Sequence, residues 1–316
     1  MTNSIYEYVR KFEKDDSIMR STWIVVRVDG RNFSNLTKNW EKPFDARGGR
    51  LMNKCACEVM RSIGDIVFAY GHSDEFSFVF PRETTIFQRR SSKIMSTVVS
   101  LFTSNFVHYW DEEFGEQNQK TENQKEQEQE KENELEQEQL QEQEQEEEEE
   151  NENKKERVKQ QSIKMPFIPS FDARVIVYPN VEILRDYFSW RQVDCHINCL
   201  YNTCFYALLN DGLSNNDATL LLKDTYSSDK NELLFTRFGL NYNNVDPIER
   251  KGSLIYKKKV KIQLKRKDTN EYGTRTKNLI FVEHRDLIQD TFWNEYPHIL
   301  EVKKKNKKSV SKRRQK

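Results

Sequence analysis

Three acids in the first quarter of this 316-residue chain stand where apolar runs begin or end. Asp29 closes Trp23-Ile-Val-Val-Arg-Val-Asp29-Gly30, and Asp74 and Glu75 fill the turn between Ile66-Val-Phe-Ala-Tyr-Gly71 and Phe76-Ser-Phe-Val-Phe80. Two carboxylates brought to one point suit a hard, oxygen-seeking ion such as Mg²⁺, which keeps several waters and takes its other ligands from substrate phosphates. Two such ions about 3.5–4 Å apart clamp the attacking and leaving oxygens of a displacement at phosphorus. Gly30, with no side chain, lets a phosphate approach the backbone. A single strand-end Asp-Gly is more often a plain turn. The paired placement leaves turn and metal site equally open on the residues alone.

For the acids to meet, the elements around them must be arranged in one way. Each run is short, β-branched or aromatic, and closed by a turn signal, so each reads as a strand. A helix over 45–63 joins the first two. Crossovers between parallel strands are right-handed. If the third strand lies between the first two, antiparallel to both, Asp29 faces Asp74 at one sheet edge. A second helix is expected over 82–110, from Ile94, Met95, Val98, Val99, Phe102, Phe106 and Tyr109 at three- and four-residue steps. A fourth strand follows over 173–178, closed by Pro179. The order strand-helix-strand-strand-helix-strand is the ferredoxin-like pattern of polymerase palms, an α+β class whose antiparallel sheet carries helices, and it hosts many functions.

The runs around Asp29 and Asp74, together with Ser189-Trp-Arg-Gln-Val-Asp-Cys-His196-Ile-Asn198-Cys-Leu-Tyr-Asn202-Thr and Asp229-Lys230-Asn231-Glu-Leu-Leu-Phe235, resemble the tRNA-histidine guanylyltransferases. The likeness covers about residues 3–112 and 166–255. It implies a palm-like fold and nucleotide addition in the 3′-to-5′ direction. Two Mg²⁺ ions would be held by Asp29, Asp74 and the Gly30 carbonyl, with Glu75 assisting the metals or bracing the turn. GTP would contact Asp29, Gly30, Arg31, Asn32, Phe33, Ser34, Lys42, Asp45, Ser73 and Asp74. A second nucleotide's triphosphate would meet Arg90, Lys93, Lys230 and Asn231, and His196 and Asn198 would lie near that nucleotide or the tRNA.

Each of these residues also has a plainer reading. Asp45 follows Pro43 and can simply cap a helix, or its carboxylate can accept from a guanine edge. Arg90 and Lys93 share a face of an expected helix start, and Lys230 alone would be a solvated lysine. His196 alone would more often be a satisfied core histidine. The chain departs from the family pattern at three places: Asn32 stands for a frequent glycine or lysine, Ser34 for a frequent histidine, and Cys199 for an asparagine. Gly48 and Gly49 weaken the first helix, and nothing in the sequence accounts for them.

A formal net charge of zero hides two opposed regions. Residues 116–153 carry 17 Glu against 3 Lys, a net −14, so the rest of the chain carries +14, a sign that suits a phosphate-rich partner. Five cysteines, Cys55, Cys57, Cys195, Cys199 and Cys204, fall in two helical clusters. They suggest reduced thiols in a cytoplasmic or nuclear protein, packed as small hydrophobes. A zinc site is the lesser reading, because the paired Cys-x-x-Cys spacing is absent. The N-terminus is polar and mixed in charge, unlike a secretory leader. No apolar run reaches the ~18 residues of a membrane span.

The remaining stretches complete the domain layout. Residues 3–20 are expected to form an amphipathic helix packed on the domain, and 1–115 the first part of the palm. Residues 116–161 are an acidic low-complexity insertion expected to be disordered, and 162–180 the last palm strand. Residues 181–300 make a helical and β-hairpin part that adds nucleotide and tRNA contacts. It includes a long helix over 181–210, a helix capped at Ser214, and a basic hairpin from 251–267 and 278–283. Residues 303–316, with nine Lys or Arg in fourteen positions, form a basic tail, an import signal or an RNA grip.

The resemblance implies ATP activation of a 5′-monophosphate, attack by the GTP 3′-hydroxyl with loss of AMP, and removal of pyrophosphate, leaving histidine tRNA with one more 5′ guanosine. It also implies a homotetramer. Two other readings compete: a palm enzyme that cyclises GTP, and a non-catalytic RNA-binding protein on the same fold.

Overall fold

The run Trp23-Ile-Val-Val-Arg-Val is apolar on both faces because its strand is covered on both faces. In the computed structural model, which describes residues 4–115, 162–265 and 272–301, strand β1 (Trp23–Arg31) lies inside a six-stranded antiparallel sheet. Ile24, Val26 and Val28 point to one core, and Trp23 and Val25 to another on the opposite side. Strands buried on both sides read as continuous apolar runs.

The sheet also contains β2 (Phe68–His72), β3 (Glu75–Phe80), β4 (Ser170–Tyr178), β5 (Ser253–Lys265) and β6 (Tyr272–Glu283), in the order β4-β1-β3-β2-β5-β6. The first four positions are the ferredoxin-like palm. The third strand does lie between the first two, and Asp29 pairs with Glu75 across β1 and β3. The basic hairpin β5–β6 extends this same sheet, with Leu254 to Tyr256 paired against β2.

Helices α2 (Ala46–Ser62) and α3 (Ser91–Phe114) cover the face of Ile24, Val26 and Val28. They follow α1 (Phe33–Leu36), a single turn after β1. The opposite face is covered by the start of α4 (Val181–Asn210) and by α8 (Asp290–Glu295), through Leu184, Phe188, Phe292 and Trp293. A third cluster joins the far end of α4 to α5 (Asn215–Leu222) and α6 (Ser227–Phe238), and α7 (Pro247–Lys251) then leads into β5. Ser214 caps α5 by accepting from the Asp217 amide.

The structure corrects two expected helices. The helix placed over 82–110 runs from 91 to 114. Residues Phe87, Gln88 and Arg89 take positive φ ahead of it, and the Asp16 carbonyl and carboxylate accept from the Ser91 and Ser92 amides at its start. The amphipathic helix expected over 3–20 is only a 3-10 turn, Glu7–Phe12, with Tyr6, Tyr8, Val9 and Phe12 all exposed. The acidic insertion and the basic tail lie outside the described residues.

Candidate active site

Strand parity decides which side chains meet. Arg27 and Asp29 of β1, Glu75 and Ser77 of β3, and Asp172 of β4 share the face that α4 covers, since their neighbours one residue away belong to the α2–α3 core. Asp29 stands opposite Glu75 on one side and Asp172 on the other. The Gly30 amide donates to the Asp74 carbonyl at 3.0 Å, fastening the β2–β3 turn to the end of β1.

The acids divide into two kinds. Glu75 is buried and neutralised: Arg191 Nη1 lies 3.2 Å and Arg27 Nη1 3.9 Å from its carboxylate, and His72 Nε2 lies 3.1 Å away. Burial alone would raise its pKa, but His72, Arg191 and Arg27 outweigh burial and hold the carboxyl below its usual range. Asp29 and Asp74 form no salt bridge among the described residues. Burial raises the pKa of Asp29, and the charges of Asp74, Glu75 and Asp172 raise it further. Burial also raises Asp74, against a hydrogen bond from Ser73 Oγ at 3.0 Å. An uncompensated acid pair of this sort calls for a cation.

Among the described residues no three His, Cys, Asp or Glu side chains gather as a metal cage. Asp29, Asp74 and the Gly30 carbonyl present only oxygen donors at this edge, which would leave further positions to water and phosphate. That donor set fits Mg²⁺, and Asp29, Asp74 and the Gly30 carbonyl are the groups that would hold it.

Beside this edge opens a cavity of about 280 Å³. Ser73 and Asp74 form the rim at the β2–β3 turn, α1 contributes Phe33 and Ser34, and Lys42 and Asp45 lie on the stretch entering α2. Asn198 and Asn202 share the α4 wall with Cys195 and Cys199, and Ile248 and Glu249 of α7 close the far side. Asp29, Gly30, Arg31 and Asn32 flank the cavity at the strand end rather than line it. Asn32 sits at φ 58°, ψ 33°, the left-handed region that glycine adopts freely and asparagine more readily than most residues, so its departure from glycine keeps the loop.

Gly48 and Gly49, unexplained in the sequence, line the same cavity. A Cβ on Gly48 would stand 2.1 Å from the Trp40 ring, and one on Gly49 would stand 2.8 Å from Ile248. Trp40 in turn stacks on Phe114 at 4.8 Å.

Asp45 caps α2 as its simpler reading expects. Its carboxylate accepts from the Arg47 amide at 3.1 Å, Arg47 Nε at 2.9 Å, Arg47 Nη2 at 2.8 Å and the Glu41 amide at 3.1 Å. Burial opposes ionisation there, but these donors hold the carboxyl below its usual range. The Lys42 ammonium donates to the Thr37 carbonyl at 3.0 Å, and burial lowers its pKa.

The other expected site residues stand apart from the cavity. Arg90 and Lys93 lie at the start of α3. Their neighbour Arg89 donates to the Thr22 carbonyl at the opposite end of β1 from Asp29, and seven strand residues separate those ends by about 23 Å. Lys230 is turned to Thr225, donating to its carbonyl at 2.8 Å and Oγ1 at 2.7 Å, and Asn231 donates to the Ser227 carbonyl at 2.8 Å. The His196 ring meets the Tyr242 hydroxyl at 3.1 Å, and burial, then Arg250, lowers its pKa.

Sequence reasoning missed Asp172, Glu249 and the roles of Arg191 and Gln192. Gln192 Nε2 donates to the Lys251 carbonyl at 2.8 Å and the Arg285 carbonyl at 2.9 Å, stitching α4 to the start of β5. The polar run Trp190 to Asn198 was the available signal for the last two.

Residues 6–179 match the family model described as "Thg1: tRNAHis guanylyltransferase", and residues 182–289 match that of the Thg1 C terminal domain. The chain belongs to the tRNAHis guanylyltransferase family. It is 42% identical to a probable tRNA(His) guanylyltransferase of Dictyostelium discoideum over 96% of this chain and 100% of that one. It is 40% identical to the tRNA(His) guanylyltransferase of Neurospora crassa over 95% of this chain and 96% of that one. The crystal structure of the Saccharomyces cerevisiae guanylyltransferase superposes with a TM-score of 0.63 at 34% identity, covering 79% of this chain and 92% of that one. Bacterial Thg1-like proteins solved with ATP and with GTP share the fold, with TM-scores of 0.61 and 0.55 at 18% and 17% identity. The guanylyltransferase fold thus accounts for the palm.

Proposed function

We propose that this chain adds one guanosine to the 5′ end of histidine tRNA by 3′-to-5′ nucleotidyl transfer. The observation that carries the reading is the pair Asp29 and Asp74, held at one sheet edge with no salt bridge among the described residues, beside a cavity of about 280 Å³. The names of its relatives and the nucleotides held by the bacterial Thg1-like proteins support it.

In this reading ATP activates the tRNA 5′-monophosphate, and the 3′-hydroxyl of GTP then displaces AMP before pyrophosphate is removed. Two Mg²⁺ ions, when bound, lower the pKa of that hydroxyl and neutralise charge on the leaving group. The chain's own residues position the reactants. Gly30 leaves room for phosphate, Ser73 orients Asp74, and the Glu75–Arg191 pair fixes the turn that presents Asp74. Asp45 holds the entry to α2, and Phe33 and Ser34 wall the cavity. Phosphoryl transfer rests on such positioning and on charge neutralisation.

Arg90, Lys93, Lys230 and Asn231 do not reach the cavity within one chain. We place them on the second nucleotide through assembly with further copies, four being the number the resemblance implies. Ile183, Trp190, Val193 and Ile197 of α4 stay exposed in a row, which supports such contacts. His196 and Asn198 remain our candidates for the second nucleotide or the tRNA. The five unpaired, buried cysteines suit a reducing compartment, cytoplasm or nucleus.

The test is transfer of label from GTP to 5′-monophosphorylated histidine tRNA with ATP and Mg²⁺. One added guanosine, abolished by Asp29→Ala and by Asp74→Ala in folded protein, is the expected result. GTP turnover independent of tRNA would instead identify a cyclase. Binding of tRNA without either reaction would identify an RNA-binding module.

A further inference from the structure

The start of α3 is at odds with its own sequence. Its N-cap position is Arg90, whose side chain caps nothing, and its first turn holds no acid. Arginine is not among the residues favoured at that position. Arg90 and Lys93 also place two cations at the end of the helix that favours anions. Both are exposed, and neither enters a salt bridge among the described residues. Breaches of local rules concentrate at functional or strained sites.

What the helix lacks, the N-terminal segment supplies from 76 residues earlier in the chain. The Asp16 carboxylate accepts from the Ser92 amide at 2.5 Å, and the Asp16 carbonyl accepts from the Ser91 amide at 3.1 Å. Asp15 Oδ1 accepts from the Ser17 amide at 2.9 Å, closing a short turn. Ser17 then forms an antiparallel bridge with Arg90, and the Arg89 carbonyl accepts from the Ile18 amide at 2.9 Å. Arg89 is buried and donates back to the carbonyls of Ile18, Met19 and Thr22. Hydrogen bonding from Ser92 holds the Asp16 carboxyl below its usual range, and the charge of Arg90 adds to this.

Two orphan amides of α3 are thus satisfied without any side chain of the helix itself. The charges of Arg90 and Lys93 are not needed to build the helix start and stay available to an anionic ligand. Asp16 also supplies the negative charge that the helix N-terminus favours. We propose that Asp16 is a positioning residue for the second nucleotide: capping α3 from the N-terminal segment, it fixes Arg90 and Lys93 where the ATP triphosphate meets them, and so sets ATP affinity in the activation step. The proposal rests on the reading above that Arg90 and Lys93 meet that triphosphate.

The experiment is activation of 5′-monophosphorylated histidine tRNA by the full-length protein with labelled ATP and Mg²⁺, without GTP. It is read as AMP joined to the tRNA 5′ phosphate with release of pyrophosphate. Asp16→Ala is expected to raise the ATP KM about tenfold, the value of one hydrogen bond to a charged group, with kcat within about twofold and GTP binding unchanged. Asp16→Asn keeps an oxygen acceptor for the Ser92 amide and returns the KM close to wild type, since the two residues cap about equally. In an Arg90→Ala, Lys93→Ala background, Asp16→Ala adds nothing further, because it acts through those side chains. A residue needed only for folding would instead lower activity alike in both backgrounds. Should Asp16→Ala not fold, Asp16→Glu, which keeps the charge but shifts the acceptor by one methylene, replaces it in the same comparison with the same expected signs. An unchanged ATP KM in the folded Asp16 variant overturns the proposal. So does an equal rise with and without Arg90 and Lys93, or an Asp16→Asn protein that behaves as Asp16→Ala. In each of these cases an ATP KM raised by Arg90→Ala leaves the triphosphate reading standing. An ATP KM indifferent to Arg90→Ala and to Lys93→Ala overturns both.

Discussion

The Gly30 amide donates to the Asp74 carbonyl at 3.0 Å, so the position of one acid depends on the residue beside the other. A side chain at Gly30 would break this arrangement. Its Cβ would stand 2.4 Å from Phe33 Cδ2 and 3.0 Å from Asp74 Cβ. Gly30→Ala is expected to cost about 1–3 kcal/mol of stability through overpacking. Misplacing Asp74 by even an ångström is expected to slow guanosine addition by about a hundredfold. Single-turnover kinetics beside a urea titration will separate the two effects.

A bracing role for Glu75 can be distinguished from a metal role. Its carboxylate lies between Arg191, Arg27 and His72. Arg191→Met, which leaves a buried carboxylate short of its nearest guanidinium, is expected to lower stability by about 3 kcal/mol. Glu75→Gln is expected to leave the Mg²⁺ concentration for half-maximal activity unchanged, whereas Asp74→Asn raises it. A Mg²⁺ titration of both variants checks the division; an equal rise in both would return Glu75 to the metal.

The palm was legible because its evidence is local: two-sided apolar strands, Pro179 after β4, and a turn carrying two acids. Asp29 and Asp74 were legible for the same reason, standing at run ends. Residues whose roles depend on register or docking were not. Asp172 reaches Asp29 only through the β1–β4 pairing, and Glu249 reaches the cavity only because Gln192, Tyr70 and Cys195 anchor the stretch around it. The helix start at Ser91 was obscured because the apolar spacing of α3 says nothing of the positive φ values at Phe87 to Arg89. Asp45 carried two readings in the sequence because a cap and a base reader use the same carboxylate; the structure shows the cap.

Gly48 illustrates propensity yielding to packing. Alanine is favoured over glycine within a helix by about 1 kcal/mol. Here the added methyl would meet Trp40 Cζ3 at 2.1 Å, and Trp40 is itself stacked on Phe114. Gly48→Ala is therefore expected to destabilise by about 1–3 kcal/mol and to weaken GTP binding by displacing the cavity wall. Thermal unfolding shows the sign; a rise in Tm would mean that Trp40 moves aside freely.

The raised pKa values of Asp29 and Asp74 give metal-free protein a signed response to pH. The folded state keeps these protons to higher pH than the unfolded chain does. Their contribution to stability is thus full below the ordinary carboxylate pKa and is lost as pH rises through the raised folded values. In EDTA, Asp29→Asn is expected to melt above wild type at pH 8, the difference closing toward pH 3. Saturating Mg²⁺ is expected to raise the wild-type Tm at pH 8 and to have less effect at pH 3, below the ordinary carboxylate pKa. Equal Mg²⁺ stabilisation of wild type and Asp29→Asn at pH 8 would remove Asp29 from the metal site.

Glu249 yields the same kind of linkage at a different place and in a narrower window. Burial, with Asp246 on its own cap and Asp45 at the start of α2, raises its folded pKa from 4.5 to about 7. Cys195 and Cys199, facing it from α4, have pKa values raised chiefly by burial and stay neutral thiols across this range. Below pH 4.5 both states are protonated and the group is neutral in its effect on pH dependence; between there and pH 7 the unfolded chain ionises first, and stability falls with rising pH. Glu249→Gln carries no such titration. In the absence of nucleotide it is expected to be more stable than wild type at pH 8, by up to about 3 kcal/mol, with the advantage shrinking toward pH 5. Urea midpoints at the two pH values test this directly. A wild-type midpoint that does not move between pH 5 and pH 8 relative to Glu249→Gln would show that Glu249 is solvated and titrates alike in both states.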